Sequence, residues 1–180
     1  RSASDAVGSD AVGAALQQIW PQMRSARLLV PFADLFAAQL PYATLKGRAK
    51  LIATRAAFLS PSFEELAQGI PQNSAENRFL TAIARGEDPG TDDLPDLQHA
   101  RPIALGVGDA QMPQALQEQL KQGRLGEVIL RTMALFASGA QGNGRDLTDA
   151  LASFRALGLE DTARRSALQL VLIEAERARR

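Results

Sequence analysis

"RALGLEDTARRSALQLVL", residues Arg155 to Leu172, decides how the chain is read. An apolar helical stripe runs up to Gly158, an acidic pair follows at Glu160 and Asp161, and a second apolar stripe begins. Glycine reaches positive φ at little steric cost, so it ends a helix and lets the chain turn back. Asp161 or Glu160 can then cap the next helix, where the dipole favours an anion. The stretch predicts two helices folded against each other at a glycine.

Displacing the chain by 35 residues shows the same grammar once more. Leu116 falls on Leu151, Gly123 on Gly158, Met133 on Leu168 and Leu135 on Leu170. The period is close to the roughly 34 residues of tetratricopeptide-type repeats. "ALASFRALGLEDTARRSAL" resembles the second part of such a repeat, with Gly158 and Ala163 in compatible places. The repeat's aromatic and terminal-proline positions are not matched. The expected fold class is all-α, as stacked antiparallel helical hairpins in an α-solenoid or TPR-like right-handed array. An irregular helical bundle is the alternative.

Outward from this core, more helical stretches can be read. "DAVGAALQQIW" places Val12, Ala15, Leu16 and Ile19 on one face, with Asp10 as cap and Pro21 as a stop or kink. "QMRSARLLVPFADLFAAQL" offers Met23, Leu28, Phe32, Leu35 and Phe36 as core, with Pro31 bending or splitting it. "YATLKGRAKLIATRAAFL" follows. "SPSFEELAQG" starts with Ser60 or Ser62 as cap and closes at the turn glycine Gly69. "NSAENRFLTAIARG" runs from a Ser74 cap to Gly86.

The domain boundaries follow. Residues 1–9 read as a flexible segment, 10–86 as an N-terminal helical part, and 87–112 as an acidic, Gly- and Pro-rich loop with a short extended piece at Ile103 to Val107. Residues 113–180 read as a pair of helical hairpins, continuous with 10–86 in one domain. Gly69, Gly123 and Gly158 are the predicted structural turns.

Composition narrows the function classes. Of 180 residues, 46% are hydrophobic and only 5% aromatic, so Leu, Ala, Ile and Val must build the core. Formal net charge is zero, which supplies no global field for nucleic acid or an anionic membrane. There is no cysteine, hence no disulfide, thiolate metal site or Cys nucleophile, and the compartment, cytoplasmic or periplasmic, stays open. No apolar run reaches the roughly 20 residues of a membrane span.

Candidate sites are few. His99 stands alone, without a second metal ligand, and reads as a loop histidine; no G-x-S-x-G elbow exists to partner it. Glu87, Asp88, Asp92, Asp93 and Asp96 lack EF-hand spacing. "GVGDA", Gly106 to Ala110, lacks the ending of a phosphate loop and reads as a turn. No cofactor and no metal site is expected. Charge is unevenly placed: Arg24, Arg27, Lys46, Arg48, Lys50 and Arg55 face only Asp34 between residues 24 and 55. Lys46, Arg48, Lys50 and Arg55 are read as a basic patch, with too little aromatic company for nucleic acid.

The expected function is a non-enzymatic helical interaction or scaffold domain, part of a larger assembly. Its partner would be another protein or peptide, or a second copy, and Arg131, Arg155 and Arg164 are the candidate partner-binding side chains. The alternatives are an accessory or catalytic helical domain of a carboxylate-dependent hydrolase, with Glu64 and Glu65 as candidates, and a dimerisation domain.

Overall fold

The computed structural model describes residues 3–178. Among them the chain is all-helical, with one 3-10 turn at Ala37–Gln39 and no strand. The helices are α1 (Ala3–Ser25), α2 (Leu29–Phe36), α3 (Gly47–Leu59), α4 (Phe63–Ala67), α5 (Ala75–Arg85), α6 (Ala100–Val107), α7 (Gln114–Lys121), α8 (Leu125–Ala140), α9 (Gly144–Ala156) and α10 (Glu160–Ala178). They group into two compact units: residues 1–70 with 172–180, and residues 71–171. The sequence suggested a boundary at the 87–112 loop. The units instead divide at Ile70 and inside α10, whose last turns belong to the first unit.

In the first unit α3 is the central element, with α1, α2 and α4 packed on it. Every residue from 52 to 60 is buried. Ala49, Ala53, Ala56 and Ala57 keep the helix thin, so its neighbours can come close. Gly13 of α1 sits at such a crossing; a Cβ there would lie 3.4 Å from Ala49 Cβ.

The buried face of α1 is Ser9, Gly13, Leu16 and Trp20, rotated from the expected Val12, Ala15, Leu16 and Ile19. Trp20 carries the largest apolar area on the helix and sets its facing. Its indole meets Phe32 edge-on, with ring centroids 5.9 Å apart. Of the other core candidates, Leu28, Leu35 and Phe36 are exposed, because the short α2 buries only Leu29, Phe32 and Ala33.

α1 runs through Pro21 and ends four residues later. Arg27 has φ +60°, and the N–H groups of Arg27 and Leu28 donate to the carbonyls of Arg24 and Met23. This is a Schellman closure with arginine where glycine is usual. Pro31 explains the position of the break. Its ring would clash with the carbonyl four residues back, that of Arg27, so the new helix starts beyond it.

The second unit is built round α9, with α6 and α8 packed against it. Both approaches depend on a missing side chain. A Cβ on Gly106 would lie 2.8 Å from Leu151 Cβ, and one on Gly139 would lie 2.6 Å from Leu147 Cα. The Thr148 hydroxyl lies 3.0 Å from the Pro102 carbonyl and joins α9 to α6. Met112, Leu116 and Val128 form a satellite core under α7 and α8, covered by Leu120, Leu135 and Leu157. Ser74 caps α5 by accepting from Asn77 N–H at 3.1 Å, and Gly86 closes it at φ +71°, as their sequence positions predict. α9 is capped by Asn143, one turn earlier than the expected Asp146 or Thr148.

Three further expectations are revised. Residues 1–2 of the flexible segment lie outside the described residues, while 3–9 form the first turns of α1. The extended piece at Ile103 to Val107 is helix: Ile103 and Ala104 bury one face of α6, and Pro102 sits in its first turn. Gly69 follows α4 without a positive φ, and the turn closes through Gly69 N–H on the Leu66 carbonyl. Gly123 and Gly158, at φ +77° and +75°, directly follow the last turns of α7 and α9.

Candidate functional site

The densest polar chemistry lies in the first unit. Glu176, near the end of α10, is 4% exposed. It accepts from Trp20 Nε1 at 3.1 Å through Oε2 and from Arg55 Nη1 through Oε1. Arg24 Nη1 reaches Glu176 Oε2 at 3.7 Å and its backbone carbonyl at 3.5 Å. Burying a carboxylate is costly unless it is opposed and hydrogen-bonded; Trp20 and Arg55 donate to it and Arg24 lies within ion-pair distance. A small cavity of about 130 Å³ borders the cluster beside Arg24, Arg48 and Arg55.

The basic patch therefore divides. Lys46, Arg48 and Lys50 are exposed. Arg55 is 2% exposed and faces Glu176. Its neighbours show why: Ile52, Phe58 and Leu59 surround it on α3, and a helix buried on all sides takes its charge inside with it.

The candidate partner-binding arginines also have internal uses. Arg155 Nη1 donates to the carbonyls of Gly106 and Gly108, tying α9 to the end of α6. Arg164 donates to the Ala84 carbonyl at 3.0 Å, and only 13% of its side chain is exposed. Arg131 is exposed, but its guanidinium meets Glu127 at 2.8 Å on the same helix. The Arg131 hydrogen bond, with the charges of Arg124 and Arg131, holds the Glu127 carboxyl below the usual carboxylate range.

A second surface was not singled out from the sequence. The outer side of α8 carries Leu130 at 67% and Met133 at 54% exposure, with Ala134 and Ala137 on the same stripe. The four residues have the spacing i, i+3, i+4, i+7 of one helical face. Met133 and Leu168 occupy equivalent positions in the 35-residue echo. Leu168 is fully buried and Met133 is not.

The remaining candidates stay apart from one another. Glu64 and Glu65 are exposed in the first turn of α4. Among the described residues Glu176 is the buried acid, and it faces arginine instead of a second carboxylate. His99 is the N-cap of α6, at φ +65°. Asp93 pairs with Arg78, and Asp88 accepts from Gly90 N–H at 2.9 Å. Among the described residues no group of three metal-capable side chains converges. Gly106 lies inside α6 and Gly108 at its C-terminus, so "GVGDA" follows a helix instead of opening one. No described helix is long and apolar enough to cross a membrane.

Comparison with protein-family models, curated proteins and solved structures returns no match.

Proposed function

We propose that the chain is a non-enzymatic helical interaction domain whose contact face is the outer stripe of α8 and whose occupant is a second copy of the chain. The observation that carries this reading is the exposure of Leu130 and Met133 above two exposed alanines. Apolar side chains grouped on one exposed face mark association surfaces. The charges beside the stripe, Arg124, Glu127 and Arg131, already pair with each other. The stripe itself carries no charged side chain and is compatible with itself across a two-fold axis, and Ala134 and Ala137 permit close approach. Two Leu130 and two Met133 side chains, each a little over half exposed, contribute roughly 4–7 kcal/mol on leaving water. Association entropy offsets much of that, so a weak dimer, of about millimolar affinity, is expected.

The finer architecture belongs to the same proposal. α7 and α8 map onto α9 and α10 at the 35-residue shift, with Gly123 and Gly158 at matching turns. This supports stacked helical hairpins as the scaffold that holds the α8 face in place.

Light scattering across roughly micromolar to millimolar concentrations tests the reading. The mass should rise from 19.3 kDa towards twice that value. The double variant Leu130→Glu/Met133→Glu should stay at the monomer mass with an unchanged helical signal. A parent chain that remains monomeric throughout, or a double variant that dimerises as well as the parent, refutes it.

A further inference from the structure

The geometry points to a binding site for an aliphatic anion, an alkyl chain ending in a carboxylate or phosphate, in the first unit where α1 turns into α2. A cavity of about 250 Å³ opens there, lined by Arg24, Arg27, Leu29, Val30, Ile173 and Arg177. Its size is close to the lower end, roughly 300 Å³, of small-molecule sites. Its lining is of two kinds, three arginines and three aliphatic residues. No aromatic ring lines it, so it offers nothing on which a nucleobase could stack. An alkyl tail fits the Leu29–Val30–Ile173 wall, and an anionic head fits the arginines, whose planar forks match carboxylate and phosphate oxygens.

Two features set these arginines apart from ordinary surface charge. Arg24 is partly engaged by Glu176 at 3.7 Å. Arg27 and Arg177, by contrast, make no ion pair or side-chain hydrogen bond among the described residues. The second feature is the backbone of Arg27. The turn closing α1 needs a left-handed residue, which glycine would supply without strain. The chain places an arginine there instead, in a conformation that costs an L residue, and Arg27 lines the cavity. Strain of this kind gathers where a side chain has a task. The beginning of α2 adds positive potential, since Leu28 gives it no side-chain cap and its first turn holds no acid.

Calorimetric titration of the full chain with octanoate, octyl phosphate, inorganic phosphate and octanol tests the site. Octanoate or octyl phosphate should bind, and the tighter of the two identifies the head group. Inorganic phosphate and octanol should each bind about ten-fold or more weakly than that ligand, since each lacks one half of the recognition. Arg27→Gly is the decisive variant. It relieves the backbone strain, so its melting temperature should equal or exceed the parent's while affinity falls about ten-fold or more. Arg177→Gln, at an exposed side chain, should lose affinity alike. Failure of both amphiphiles to bind, equal binding of inorganic phosphate or octanol, or parent-level affinity in Arg27→Gly overturns the proposal.

Discussion

Arg55 and Glu176 are both nearly inaccessible to water, and a buried ion pair is worth less than it appears because each ion has lost its hydration. Its removal is therefore asymmetric. Glu176→Gln takes away the carboxylate that faces Arg55 and should destabilise the first unit by about 3 kcal/mol. Arg55→Met/Glu176→Leu together should recover about half of that loss. A residual deficit of about 1–2 kcal/mol is expected, because Trp20 Nε1 keeps no acceptor. Urea titrations of Glu176→Gln and of the double variant, followed by Trp20 emission, compare the two losses; equal losses would contradict the asymmetry. Tyr42 gives a pH-dependent case. Its hydroxyl donates to the Ala37 carbonyl at 2.6 Å, and burial pushes its ionisation well above the ordinary value near 10. Above pH 10 the unfolded chain releases this proton while the folded chain holds it, so stability falls as pH rises through that range. Tyr42 is the only tyrosine, so absorbance titration follows it directly, and Tyr42→Phe should flatten the alkaline loss of stability. Neither role was legible in the sequence. A charged side chain reads as surface until its helix is known to be enclosed, and Arg55 differs from Arg48 only in having apolar neighbours on every side.

At the scale of elements, most helices were legible and their contacts were not. Caps and stops such as Ser74, Gly86, Gly123 and Gly158 act within a few residues, so local pattern finds them. α6 escaped notice because its eight residues sit behind a long stretch rich in proline and aspartate, where the turn signal outweighs the short apolar face of Ile103 and Ala104. The outer stripe of α8 could not be singled out because periodicity reports an apolar face without reporting what covers it. The glycines inside α8 show how packing overrides local preference. Gly126 has open space around the position of a Cβ, whereas a Cβ on Gly139 would lie 2.6 Å from the α9 backbone at Leu147. Gly126→Ala should therefore stabilise by up to about 1 kcal/mol, as intrinsic helix preference dictates. Gly139→Ala should destabilise by about 1–3 kcal/mol, because α9 must move away. Thermal melts of the two variants followed by far-ultraviolet circular dichroism decide this; shifts of the same sign would mean that the α8–α9 approach does not govern Gly139.

At the scale of the molecule, the 35-residue echo was visible because it repeats local grammar, and the makeup of the first unit was hidden because it joins distant chain. Trp20 and Glu176 are 156 residues apart, and nothing local in either segment announces the other. The last turns of α10 nevertheless supply that unit with Leu172, fully buried, and with the carboxylate of Glu176. Removing a buried leucine costs about 2–5 kcal/mol, and depriving a buried arginine of its carboxylate costs about 3–5 kcal/mol. Together these rival the whole stability of a typical domain, about 5–15 kcal/mol. A chain ending at Val171 should therefore have a first unit that is unfolded or close to it. The reporter is already in place. Trp20 is the only tryptophan and is 3% exposed, so its emission should be blue-shifted in the full chain and red-shifted, without denaturant, in the shortened one. Emission that stays blue after residues 172–180 are removed would show that the first unit holds Trp20 without the end of α10, and the Glu176 cluster would then be an accessory to that fold instead of a condition of it.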